Sequence, residues 1–120
     1  ETYSEDTGGG KWDVRALKLH LMSRYGAAAV DALFRDIHML ILRSLHSVQQ
    51  VMINDKHCFE LYGYDVMIDS NLKPWVIEVN ASPSLSANTK EDYQLKCDML
   101  HDCLDIVDVE SSIYALGMRT

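Results

Sequence analysis

Asp65 lies in the run Tyr62-Gly63-Tyr64-Asp65-Val66-Met67-Ile68-Asp69, and Glu78 and Asn80 lie in Lys73-Pro74-Trp75-Val76-Ile77-Glu78-Val79-Asn80. These three side chains are the ones best placed to do chemistry. Both runs have the branched and aromatic content of strands, and the turn-forming residues Ser70-Asn71-Leu72-Lys73 separate them. A symmetric antiparallel pairing about that turn sets Asp65 directly opposite Glu78. Because side chains alternate along a strand, Glu78 and Asn80 share one face while Trp75, Ile77 and Val79 take the other. Two carboxylates facing each other across a ladder, with Cβ atoms roughly 5 Å apart, repel and destabilise the sheet unless a cation lies between them. Two carboxylates and an amide carbonyl form an oxygen-only donor set suited to a hard ion such as Mg2+, which keeps waters and also binds phosphates. Mg–ATP is the natural guest, since such an ion bridges nucleotide phosphates in phosphoryl transfer. Spacing alone is equally compatible with acidic residues on the solvated face of a hairpin.

Helices must support this hairpin. Trp12, Val14, Leu17 and Leu21 recur at nearly helical spacing until Tyr25-Gly26, where the glycine ends a first helix. Val30, Leu33, Phe34, Ile37, Leu40, Ile41, Leu45, Val48 and Val51 follow the i, i+3, i+4 pattern without Pro or Gly. They predict a long amphipathic helix over residues 28–52, packing Leu33, Ile37, Leu40 and Leu45 on the sheet face that carries Ile77 and Val79. His38 and His46 fall within it without a carboxylate or Cys at metal spacing and are assigned no chemistry. Cys58-Phe59-Glu60-Leu61-Tyr62 reads as the start of the first strand, and Gly63 marks a bulge or a close backbone approach. After Asn80, the run Ala81-Ser82-Pro83-Ser84-Leu85-Ser86 is a loop leaving directly from the carboxylates. Thr89 with Asp92 resembles a capping box opening a third helix, whose apolar face is Tyr93, Cys97, Leu100, Leu104 and Val107. Residues 1–10 read as a flexible loop ending in Gly8-Gly9-Gly10, which lacks the spacing and preceding strand of a phosphate-binding loop, and residues 111–120 as a tail.

The 120 residues, 48% hydrophobic and 24% charged, have the composition of one globular domain or part of one, and the hairpin without nucleotide-holding partner elements favours a part. A net charge of −7 with no Lys/Arg cluster argues against nucleic acid as a partner. Cys58, Cys97 and Cys103 fit no zinc spacing and read as reduced, buried thiols of an intracellular protein. No apolar run reaches the roughly 20 residues that span a bilayer, so no membrane association is expected.

The residues also resemble a known family. Phe59-Glu60-Leu61-Tyr62-Gly63-Tyr64-Asp65 and Leu72-Lys73-Pro74-Trp75-Val76-Ile77-Glu78-Val79-Asn80-Ala81-Ser82-Pro83-Ser84-Leu85 are similar to the tubulin tyrosine ligase-like family. The similarity extends upstream through Gly10-Lys11-Trp12 and downstream through Glu91-Asp92-Tyr93-Gln94-Leu95-Lys96, covering about residues 8–110, and is closest to the ciliary polyglutamylase type. The resemblance implies an α+β fold, the C-terminal part of an ATP-grasp domain over residues 11–110 in which an antiparallel sheet with flanking helices supplies the metal ligands. Asp65, Glu78 and Asn80 occupy the places of the family's magnesium ligands for Mg–ATP. Lys96 matches a basic position that can act on glutamate's carboxylate or a phosphate oxygen, and Ser82, Ser84 and Lys11 are further candidate donors. The implied cofactors are Mg2+ and ATP. The implied partners are tubulin in microtubules, free glutamate and ciliary accessory subunits. The implied location is the cytoplasm and cytoskeleton, including the cilium or flagellum and its basal body.

The implied activity is glutamate addition to tubulin tails through an acyl phosphate. The family's nucleotide-holding lysines lie upstream of the matched segment, so these residues by themselves are expected to be inactive. A tubulin glycylase is one alternative, and a non-catalytic ligase-like scaffold or microtubule-binding module is another. The intact carboxylates favour an enzyme over the scaffold.

Overall fold

The computed structural model describes residues 10–53, 55 and 58–107, so Gly10 alone represents the expected opening loop and the expected tail lies outside the described residues. The chain is α+β, in the order α1 (Val14–Tyr25), α2 (Ala27–Val48), β1 (Gly63–Ile68), β2 (Pro74–Asn80) and α3 (Lys90–Val107). It forms two compact units. Among the described residues, the first takes those up to Met52 together with Tyr64–Val79, and the second takes those between Ile53 and Gly63 together with those from Asn80 to Val107.

In the first unit, the Asp13 carboxylate caps α1 by accepting from the Ala16 N–H, which satisfies an otherwise unpaired donor of the first turn. Gly26, at φ 82°, takes a backbone conformation that a side chain would strain. Its N–H bonds to the Met22 carbonyl, closing α1 and letting α2 begin at the next residue. The two helices pack together. Lys18 Nζ sits 4.2 Å from the Phe34 ring centroid, laying its stem along the pair. Val30 and Leu33 are fully buried, at 0% and 1% exposure. The predicted long helix is confirmed, but it ends at Val48 rather than 52. Val51 and Met52 instead donate back to the Val48 carbonyl in a turn. Val51 is 82% exposed, so no burial holds a further helical turn in place.

The hairpin departs from the symmetric pairing. The Leu72 N–H bonds to the Asp69 carbonyl and the Asp69 N–H to the Lys73 carbonyl, both at 3.0 Å. Asp69 is therefore opposite Lys73 around a three-residue turn, with Leu72 in the left-handed region at φ 60°. An uninterrupted ladder from that turn would set Ile77, not Glu78, opposite Asp65. Yet β2 has seven residues against six in β1, and a Cβ on Gly63 would stand 3.9 Å from the Asn80 Cβ. The strand ends thus pair one residue out of step with the tip, and β2 absorbs the extra residue as a bulge. The register at the open end, where Gly63 approaches Asn80, therefore differs from the register at the tip, where Asp69 faces Lys73.

The sheet face turned toward α2 is also not the expected one. Tyr64, Val66, Ile68 and Val76 are half-buried and Pro74 is buried, and the Tyr64 hydroxyl donates to Ser44 Oγ at 3.2 Å. Ile77 and Val79 are exposed, at 60% and 42%. The turn's register decides this, because shifting a ladder by one residue exchanges its faces.

In the second unit, Phe59, Glu60, Leu61 and Tyr62 lie outside the strand expected to begin at Cys58. Among the described residues the sheet has two strands, and Pro83 stops β2 from extending to pair with that run. Gly63 serves a close approach: a Cβ there would meet the Pro83 Cβ at 3.0 Å. Thr89 caps α3 as expected, its Oγ1 accepting from the Asp92 N–H at 3.1 Å. The expected apolar face of α3 is largely open, with Tyr93 and Leu104 exposed, while Cys97, Met99, Cys103 and Val107 are half-buried.

Candidate functional site

Asp65 comes from the middle of β1, and Glu78 and Asn80 come from the last part of β2, two residues apart. All three are solvent-exposed. Asp65 and Glu78 belong to the first unit, whereas Asn80 falls at the boundary and groups with the second. Alternation of burial holds along β2 up to Ile77 and lapses over residues 78–80, all of which are exposed. The donor chemistry fits a hard divalent ion: two carboxylates and one amide carbonyl, exposed enough for water to complete an octahedral shell. Among the described residues no group of three or more His, Cys, Asp and Glu gathers as a metal cluster.

Asp69 carries a densely bonded carboxylate that sequence spacing did not single out. Asp69 Oδ1 accepts from the N–H groups of Asn71 at 2.8 Å and Lys73 at 3.0 Å, and Oδ2 accepts from the Trp75 indole N–H at 3.0 Å. These donors, the Lys73 N–H first and the indole second, hold its carboxyl below the ordinary carboxylate range. Lys73 Nζ covers the other side of the Trp75 ring at 4.1 Å from its centroid. The signal was present in the sequence as Asp69-Ser70-Asn71, an Asx-turn opening. Because Asp69 sits at the strand end, the strand pattern masks that turn role.

Lys96 lies within the second unit. Its Nζ donates to the Ser86 carbonyl and bridges to Asp92 Oδ2 at 3.1 Å, one helical turn away. It therefore ties the loop after β2 to α3. Ser84 Oγ accepts from the Ser86 N–H at 3.3 Å, so this hydroxyl shapes the same loop. Ser82 and Lys11 are exposed, and the exposed His38 and His46 agree with their having no assigned chemistry. All three cysteines are free thiols, Cys97 and Cys103 half-buried, while Cys58 is exposed where burial was expected. The Tyr93 phenol is pushed up by its hydrogen bond to Cys97. No helix among the described residues is long and apolar enough to cross a membrane.

The chain is 54% identical over 105 residues to the "Probable tubulin polyglutamylase TTLL9" of Bos taurus, covering 88% of this chain and 23% of that protein. It is 49% identical over 107 residues to the "Probable alpha-tubulin polyglutamylase Ttll1" of Tetrahymena thermophila, covering 89% of this chain and 26% of that one. Against the "Tubulin monoglutamylase TTLL4" of Mus musculus it is 37% identical over 106 residues, 82% of this chain and 9% of the relative. It thus spans about a quarter of the length of the first two relatives. No solved structure matches. Residues 1–113 match the tubulin-tyrosine ligase family as a whole, and the chain belongs to that family.

Proposed function

We propose that the whole protein is an ATP-dependent carboxylate–amine ligase that adds glutamate to glutamate side chains of tubulin C-terminal tails, with these residues forming the metal-binding C-terminal part of an ATP-grasp fold. The carrying observation is a hairpin with two exposed carboxylates and an exposed amide on its strands, Asp65, Glu78 and Asn80, within a member of this ligase family. The relatives' names support glutamate over glycine as the added amino acid.

In this reading a tail γ-carboxylate attacks the terminal phosphorus of ATP, releasing ADP and leaving an acyl phosphate. The amine of free glutamate then attacks the acyl carbon, phosphate departs, and the nitrogen loses a proton to form the amide. A bound Mg2+ supplies the positive charge that lets an anionic nucleophile approach a triphosphate in line. Asp65 and Glu78 would offer that ion anionic oxygens and Asn80 a neutral one, the oxygen donors a hard divalent ion prefers. Lys96 holds the Ser86 loop with two of its three N–H groups, and the third is available for an anionic oxygen of glutamate or phosphate. Ser82, on the same loop, is a candidate donor to the same oxygens. The net charge of −7 means that basic groups outside this segment, or on an accessory subunit, must attract an acidic tail. The setting in which such a substrate is met is the cytoskeleton, above all the cilium and its basal body.

The test is incorporation of labelled glutamate into tubulin by the whole protein and by its Glu78→Gln variant. The variant removes one metal charge at nearly constant volume and should leave the fold intact while ligation is lost. Incorporation at the unsubstituted rate would remove Glu78 from the site.

A further inference from the structure

We propose that Asp69 is a positioning residue for Asp65 and Glu78: by gripping both ends of the turn and the Trp75 indole, it holds the hairpin tip in the register that obliges β2 to carry its bulge. The inference rests on the reading of Asp65 and Glu78 as metal carboxylates.

The tip contains a conflict that something must resolve. Leu72 occupies the left-handed region at φ 60°, a position that glycine takes at low cost and a side chain takes under strain. Nothing about leucine favours this turn. A four-residue loop without a bulge would pair the tip in the same step as the open end and relieve both the strain and the mismatch. The observed turn persists because Asp69 binds three donors that meet only in this geometry: the Asn71 and Lys73 N–H groups and, across the strands, the Trp75 indole N–H. The indole is further clamped by Lys73, whose Nζ lies 4.1 Å from the ring centroid. Four residues from Asp65 along β1, Asp69 thus sets the phase of the ladder in which Asp65 and Glu78 stand. A bulge bends and twists its strand, re-aiming the side chains beside it. Without the Asp69 grip, the bulged and unbulged registers exchange, and the two carboxylates are spread over two arrangements, of which one is spaced for the ion.

The experiment uses the whole protein with ATP present and Mn2+ as a spin-active substitute for Mg2+ at oxygen ligands. Free Mn2+ is read by electron paramagnetic resonance, alongside amide exchange at Asn71 and Lys73. Asp69→Ala should weaken Mn2+ binding about tenfold or more, since small misplacements of metal-holding groups carry costs of this size, and should leave the KM for glutamate within about twofold. Adding Leu72→Gly in that background frees the strained position and should bring Mn2+ affinity back to within about threefold of the unsubstituted protein. Asp69→Asn keeps one oxygen for the backbone donors but sets an amide against the indole, so a loss of about threefold is expected, and this isosteric variant decides the matter if Asp69→Ala does not fold. Unchanged Mn2+ affinity and unchanged Asn71 and Lys73 exchange in Asp69→Ala, or in Asp69→Asn if the former does not fold, would overturn the proposal. Equal loss of Mn2+ and glutamate affinity, unrelieved by Leu72→Gly, would overturn it as well. Glu78→Gln is run beside them: if it too binds Mn2+ normally, the metal reading has failed, whereas if it alone loses Mn2+, only the role of Asp69 has.

Discussion

Helix α2 and the hairpin residues Tyr64–Val79 belong to the same compact unit but divide its tasks. The helix buries Val30 and Leu33 completely and carries no group to which chemistry is assigned. The hairpin holds exposed carboxylates, an exposed Trp75 and a strained Leu72, and the hydrogen bonds of Asp69 bind its tip. The difference teaches where tolerance lies. A core position answers to volume, whereas the hairpin answers to geometry and charge and can change greatly in function with little change in stability.

The largest effect that can break this comparison is at Glu78. Glu78→Gln should reduce glutamate ligation at least about a hundredfold, as loss of a charge-stabilising group does, while denaturant unfolding shifts by less than about 1 kcal/mol. A large loss of stability would show that the carboxylate belongs to the fold after all. Next is the helix side of the comparison: Leu33→Ala should cost about 2–5 kcal/mol in unfolding free energy, the range for emptying a fully buried leucine site. The folded fraction should bind Mn2+ with unchanged affinity, and a changed affinity would mean that the core reaches into the site.

A smaller effect probes the bond that joins the two regions. Tyr64→Phe removes the hydroxyl that donates to Ser44 and should cost about 0.5–1.5 kcal/mol, measured by denaturant titration. The last effect is one of pH. Hydrogen bonds hold the Asp69 carboxyl below its ordinary value, so its contribution to stability is complete above the unfolded carboxylate value of about 4. It is lost as pH falls through the lower folded value. Melting temperatures taken from pH 7 down to 3 should decline less steeply for Asp69→Asn than for the unsubstituted protein. Parallel curves would show that the tip carboxylate stays charged or uncharged alike in both states.

What could be read directly from the residues were features set by local rules. The stop at Gly26, the cap at Thr89 and the register of apolar positions in α2 follow from backbone sterics and a 3.6-residue repeat, which neighbours in sequence are enough to impose. The family was also legible, because the strand-turn-strand pattern that carries it is continuous in the chain. Tertiary structure alone decided the rest. Which sheet face turns to α2, with Ile77 and Val79 left exposed, depended on a turn whose register differs by one residue from the symmetric guess. Two turns of nearly equal length put opposite faces inward, and only the donors gathered by Asp69 choose between them. Likewise, α3 has an apolar stripe in its sequence, but a stripe specifies a surface and not what covers it, so Tyr93 and Leu104 remain in solvent while Lys96 is engaged by Ser86 and Asp92.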